Sequence, residues 1–121
     1  MSHILLAEDD NSMRQFLILA LEKAGHVVTA CEDGLKALEL IKTEGLKFDM
    51  LLADIVMPGM DGIELSKKAN DIAPELKIMF ITGFAAVAMG RRHEGAEHAR
   101  ILSKPFHLND LVKQVNDLLT A

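Results

Sequence analysis

Two stretches decide how this chain folds: Ile4-Leu5-Leu6-Ala7-Glu8-Asp9-Asp10 and Met50-Leu51-Leu52-Ala53-Asp54. Each is a short apolar run that ends in acid. Runs this short, apolar at every position, read as strands buried on both faces, the pattern of parallel sheets. If the two strands are parallel, their C-terminal ends bring Glu8, Asp9, Asp10 and Asp54 into one place. Four carboxylates repel one another, so the cluster is costly unless a cation sits in it. Mg²⁺, a hard ion that prefers oxygen ligands, suits such a site.

Outward from these runs, apolar strand-like segments alternate with helical patterns. His3–Ala7 reads as the first strand. Asn11 or Ser12 can cap a helix with Met13, Phe16, Leu17, Ala20, Leu21 and Ala24 on one face, at the 3.6-residue period, and Gly25 is placed to end it. Val27–Cys31 is a second strand, and residues 34–43 form a helix with Ala37, Leu38 and Ile41 inward. Met50–Asp54 is the third strand, followed by the turn Met57-Pro58-Gly59-Met60-Asp61-Gly62. A helix over 63–72 stops before Pro74, and Lys77–Thr82 is the fourth strand. Residues 85–99 are expected to hold one short helix and a polar loop, since Gly90 and Gly95 weaken anything longer. A brief fifth strand is expected near Ile101-Leu102. Leu108, Leu111, Val112, Val115, Leu118 and Leu119 then stripe one face of a last helix. This alternation predicts an α/β fold, a parallel sheet with helices on both faces.

The 121 residues fit one domain, 1–121, with a single core. A net charge of −5 disfavours a nucleic-acid surface. The single cysteine, Cys31, cannot form an internal disulfide, which suits a reducing cytoplasm, and reads as a small buried apolar residue. No apolar run approaches the ~20 residues a membrane span needs, and the acids from Glu8 onward cut short any signal peptide. There is no repeat and no low-complexity tract.

In an open α/β sheet, ligands bind beyond the carboxyl ends of the strands. Glu8, Asp9 and Asp10 follow strand one, Asp54 ends strand three, Thr82 ends strand four, and Lys104 follows strand five. An acid cluster, a separate carboxylate, a hydroxyl and an ammonium make a kit for holding a phosphoryl group. Asp54 would be its nucleophile, giving an aspartyl phosphate. Mg²⁺ would bridge carboxylate and phosphoryl oxygens. Lys104 would pair with a phosphoryl oxygen as a point charge, and Thr82 would donate a hydrogen bond to another.

Each residue also has a plainer reading. Asp10 alone is a helix cap, Thr82 alone a strand residue, and Lys104-Pro105 alone a surface turn. Met57, Met60 and Met89 read as gap-fillers. His93 and His98, with Glu94 and Glu97, read as a solvated loop rather than a zinc site, and Arg91-Arg92 as a solvated turn. The functional reading rests on the acids, Thr82 and Lys104 each following the right strand.

These segments, together with Asp54-Ile55-Val56-Met57-Pro58-Gly59-Met60-Asp61-Gly62, Phe80-Ile81-Thr82-Gly83 and Ser103-Lys104-Pro105-Phe106, resemble a response-regulator receiver domain over the whole chain. The resemblance implies a flavodoxin-like, CheY-like fold: five helices and a doubly wound, five-stranded parallel sheet in order 2-1-3-4-5. It also implies residue roles. Asp54 matches the phosphorylated aspartate, and Glu8 and Asp9 match the acidic pair. Asp9 would bind Mg²⁺ directly and Glu8 through water, with the backbone carbonyl of Val56 as a further metal contact. Thr82 matches the switch hydroxyl and Lys104 the site lysine. One departure is Ile101, where many receivers carry an aromatic switch residue, so an inward-turning ring is not expected here. More narrowly, residues 81–88 and 102–108 resemble the CpdR type of stand-alone alphaproteobacterial receiver. That type controls substrate delivery to the ClpXP protease and takes phosphate from a hybrid histidine kinase through a histidine phosphotransferase.

The chain ends soon after its last helix, which leads to the expectation of no output domain and of action through protein contacts rather than DNA or membrane. The alternatives are a phosphate shuttle or sink in a relay and a metal-dependent phosphatase. The phosphatase reading lacks a cap segment, and the haloacid-dehalogenase pattern would need Asp where Glu8 stands. The chain is not expected to turn over a separate substrate, and no Walker-type glycine loop offers a nucleotide site.

Overall fold

The computed structural model describes residues 2–82, 100–103 and 106–120. The expected sheet is present: five parallel strands in the order β2-β1-β3-β4-β5. They are β1 (His3–Ala7), β2 (Val27–Cys31), β3 (Met50–Asp54), β4 (Lys77–Thr82) and β5 (Arg100–Ser103). The described helices are α1 (Asn11–Lys23), α2 (Gly34–Glu44), α3 (Gly62–Ile72) and α4 (Leu108–Leu119), with one 3₁₀ turn at Gly45–Lys47. The short helix and polar loop expected within 85–99 lie outside the described residues, as do Met89, His93 and His98.

Side-chain alternation along the central strands sorts the core into two layers. Leu5, Ala7, Leu51 and Ala53 point to one side and pack on Ala37, Leu38 and Ile41 of α2 and Leu65 and Ala69 of α3. Ile4, Leu6, Met50 and Leu52 point to the other and pack on Leu17 and Leu21 of α1 and Leu111, Val115 and Leu118 of α4. Every residue of β3 is buried, as a central strand covered on both faces requires. Met57 and Met60 fill space in the first layer, as gap-filling methionines do.

Local sequence fixes the helix ends. Asp33 and Asp61 cap α2 and α3, each accepting at Oδ1 from a backbone N–H three residues on, at 2.8 Å. Gly25 ends α1 with φ +97°. Its N–H donates to Glu22 O and the His26 N–H to Leu21 O, a Schellman pair.

Two expectations for α1 need correction. Its cap is Asp10, whose Oδ1 accepts from the Met13 N–H at 2.8 Å, not Asn11 or Ser12. Phe16, expected inward, is 49% exposed. At 3.6 residues per turn it lies roughly a quarter turn from the centre of the Leu17–Ala20–Leu21 stripe, too far round to reach the sheet. Ala24 is exposed too, because the helix has already ended there.

Candidate functional site at the C-terminal edge of the sheet

Register assembles the site. Ala7 of β1 pairs with Ala53 of β3, so Glu8 and Asp54 follow side by side at the ends of adjacent strands. Glu8 continues the parity of Ile4 and Leu6, and Asp54 that of Met50 and Leu52, so strand alternation sends both to the same side. Glu8 is completely buried and Asp54 is 7% exposed, whereas Asp9 is exposed. One carboxylate oxygen from each of Glu8, Asp9 and Asp54 lies within 4.8 Å of the others. Asp10 is not in this group, because its carboxylate turns away to cap α1. The expected four-acid cluster is therefore a three-acid cluster with a helix cap beside it.

The chain around these acids is held by hydrogen bonds. The Glu8 N–H donates to Cys31 O at 3.1 Å, extending the β1–β2 ladder by one residue. The Asp10 N–H donates to Glu8 Oε2 at 3.2 Å. Arg14, in the first turns of α1, donates through Nη1 to Glu8 O at 2.9 Å and through Nη2 to Asn11 Oδ1. On β3, the Val56 N–H donates to Asp54 Oδ1 at 3.3 Å. Gly62 then pins the loop after Asp54: its N–H donates to Ile55 O at 2.8 Å. A Cβ on Gly62 would sit 2.4 Å from Asp54 O, so only glycine allows α3 to start this close.

The other expected residues fall around this centre. Asp54 pairs with Ile81, so Thr82, fully buried, stands one position beyond it on the neighbouring strand. Thr82 in turn pairs with Ser103 of β5. Lys104, the next residue in sequence, lies outside the described residues; so does Phe84, which follows Thr82 by two. Val56 follows Asp54 by two and is 52% exposed. Ile101 packs against Ile55, Ile63 and Phe80, so the position expected to lack an aromatic switch is filled by an aliphatic contact beneath the site. Cys31, at the end of β2, is buried, and that burial, with the Asp33 charge nearby, pushes its thiol up to about 11. It is therefore protonated at neutral pH, in keeping with a small buried residue.

Sequence reading missed Arg14 and the two tight glycines, Gly34 and Gly62. The signal for the glycines was the repeated Asp-Gly at residues 33–34 and 61–62, an acidic cap followed by glycine at the first helical position. In the sequence alone, Gly62 shows only as the end of the turn that starts at Met57.

Ionised carboxylates this close repel one another. Two unit charges about 5 Å apart repel by roughly 3 kcal/mol at the effective dielectric of a protein surface. The donor set is three carboxylates with no histidine or cysteine, one open to solvent and two buried. That chemistry fits a hard divalent cation and not zinc or copper.

A family model for the response regulator receiver domain matches residues 4–116. This chain belongs to that family. The receiver is 56% identical to the response regulator receiver protein CpdR of Brucella abortus (strain 2308), over all of this chain and 99% of that protein. It is 33% identical to the sensor kinase CckA of the same organism, over 96% of this chain but only 12% of the kinase. Among solved structures, a response regulator receiver protein from Sinorhizobium medicae WSM419 superposes with a TM-score of 0.90 at 34% identity, covering 99% of this chain and 95% of that one. The expected fold and family are thus both found. No described helix of the receiver is long and apolar enough to cross a membrane.

The acid cluster has a measurable consequence. Neutralising one member by Asp9→Asn is expected to raise the melting temperature in chelator by roughly 3–6 °C, through relief of like-charge repulsion. Wild type is expected to gain stability as Mg²⁺ is raised through the millimolar range, and Asp9→Asn to lose most of that gain. Differential scanning calorimetry with and without Mg²⁺ checks both. A variant that melts below wild type in chelator would contradict the repulsion.

Proposed function

We propose that this receiver is phosphorylated on Asp54 and signals by a phosphorylation-dependent contact with another protein. The observation that carries the reading is the placing of Asp54: beside buried Glu8 and exposed Asp9 on one side and buried Thr82 on the other, at the carboxyl edge of the sheet. The donor is a phosphohistidine on a histidine kinase or histidine phosphotransferase. An Asp54 Oδ attacks phosphorus, the P–N bond breaks as the new P–O bond forms, and the imidazole leaves to take a proton from solvent. Glu8, Asp9, the Asp54 carboxylate and the Val56 carbonyl are the proposed holders of Mg²⁺. When bound, the cation offsets the charge of the carboxylates and of the incoming phosphoryl oxygens. The Val56 N–H holds Asp54 Oδ1, which orients the carboxylate. Thr82 and Lys104 are assigned to the phosphoryl oxygens, as hydrogen-bond donor and point charge.

Full-length similarity to a CpdR receiver protein supports a regulatory role; its setting is proposed to be the cytoplasm, with no turnover of a separate substrate. We propose delivery of substrates to the ClpXP protease as the output, which is what the resemblance to the CpdR type implies, with no DNA or membrane contact required. Similarity to part of a sensor kinase supports a phosphorelay as the setting. A pull-down with phosphorylated and unphosphorylated protein separates a switch, whose captured partners change, from a shuttle or sink, whose partners are only the relay enzymes.

Incubation with acetyl phosphate and Mg²⁺ is expected to add one phosphoryl group by intact mass, and Asp54→Asn to abolish it. Equal labelling in excess chelator, or full labelling of the Asn variant, would defeat the assignment.

The lifetime of the phosphoryl group is a separate expectation. Hydrolysis needs a water aligned opposite the leaving carboxylate. Val56 and Phe84, two residues after Asp54 and Thr82, occupy the positions that border this path in receivers. Neither side chain can hydrogen-bond a water, so self-dephosphorylation is expected to be slow, with removal mainly by back-transfer to a phosphotransferase histidine. The double variant Val56→Asn, Phe84→Glu is expected to lose phosphate faster by roughly tenfold or more, followed by mass spectrometry. Equal lifetimes would show that these side chains do not shield the site.

A further inference from the structure

The first residue of α2 sits directly on the loop that follows Asp54. Gly34 is buried, and a Cβ there would lie 2.3 Å from Met60 O, 3.0 Å from Met60 Cβ and 3.1 Å from Met60 C. Only Gly25 and Gly59 have positive φ among the described residues, so the backbone at Gly34 does not require glycine. Within a helix, alanine would be favoured by about 1 kcal/mol. What glycine provides at this position is therefore space: backbone on backbone, α2 against Met60.

The same loop is gripped one residue earlier. Gly59 has φ +79°, and the side chain of Leu35 lies over it, so that a Cβ on Gly59 would be 3.0 Å from Leu35 Cδ1. From Met60 the chain runs two residues to Gly62, which holds Ile55 O through its N–H and abuts Asp54 O. Val56 in turn holds the Asp54 carboxylate. A continuous line of backbone contacts thus joins the start of α2 to the Asp54 side chain.

We propose that Gly34 is a positioning residue for the phosphoacceptor site. Its seat on Met60 sets the β3–α3 loop, and the loop sets Val56 and the Asp54 carboxylate. The proposal rests on the reading of Asp54 as phosphoacceptor. Alanine at Gly34 must push Met60 away, because the clash is with backbone and no flexible side chain can yield. The displacement passes to the loop that carries Val56, an assigned metal contact, and that follows directly on Asp54.

The test compares Gly34→Ala with Gly45→Ala and Leu35→Ala. Gly45→Ala is the control, since its Cβ would meet only Ile41 Cγ2 at 3.6 Å and Ala73 Cβ at 3.8 Å, ordinary contacts. Leu35→Ala loosens the same helix-to-loop contact at an exposed residue without a clash, so it is read even if Gly34→Ala does not fold. Mg²⁺ affinity by calorimetry and the rate of labelling by acetyl phosphate are measured beside circular-dichroism melting. Gly34→Ala is expected to weaken Mg²⁺ binding and slow labelling by roughly tenfold each. Leu35→Ala is expected to do the same to a smaller degree, and Gly45→Ala to match wild type. A folded Gly34→Ala with a lowered melting temperature but wild-type affinity and rate would reduce Gly34 to a packing role and overturn the proposal. So would a wild-type Leu35→Ala if Gly34→Ala is unfolded. Failure of wild type to label at all would instead defeat the Asp54 reading, leaving the Mg²⁺ measurement to judge Gly34 alone.

Discussion

Mutual repulsion of three carboxylates is the constraint around which this domain is built. Glu8 has no exposure, yet it stands within 4.8 Å of Asp9 and Asp54. A buried acid in such company is costly unless an opposite charge or hydrogen-bond donors offset it. The rest of the structure holds the acids in place while leaving Asp9 at the surface. On the proposed reading, a hard cation entering from solvent would turn the cost into binding energy and link stability to metal occupancy.

The acids are held mainly by backbone. Adjacent parallel strands place Glu8 beside Asp54 through one register, Ala7 with Ala53. Arg14 and the Cys31 carbonyl fix the turn after β1, while Gly62 and the Val56 amide fix the turn after β3. Backbone geometry varies less than side-chain geometry, because φ and ψ have few allowed wells. A site assembled this way is pre-organised, which suits a reaction whose catalysis is largely positioning and charge offset. It also explains why helix starts matter here: α2 and α3 both open on Asp-Gly, the acid capping the helix and the glycine allowing close approach.

Much of this was legible in the sequence, for a physical reason. β1 and β3 are covered on both faces, so they appear as unbroken apolar runs, and acids at their ends stand out. The stripe of α4 was equally plain, with Leu111, Val115 and Leu118 buried as expected. What failed was local. Asp10, Asn11 and Ser12 are all good caps, and composition cannot choose among them. Choosing Asp10 removed it from the acid cluster. Phe16 is apolar but sits at the margin of its stripe, where a small rotation of the helix decides burial. Contacts through carbonyl groups, such as Arg14 to Glu8 and Gly34 to Met60, leave almost no trace in sequence, because the partner residue type is irrelevant to them.

The most direct measurement of the central claim is a crystal structure of the protein soaked in Mn²⁺, with the ion located by its anomalous signal. The expected result is one strong peak among the carboxylates of Glu8, Asp9 and Asp54, lost in Asp9→Asn crystals soaked in the same way. A saturating soak that leaves this cluster empty, or a peak of equal strength in the Asn variant, would contradict the account.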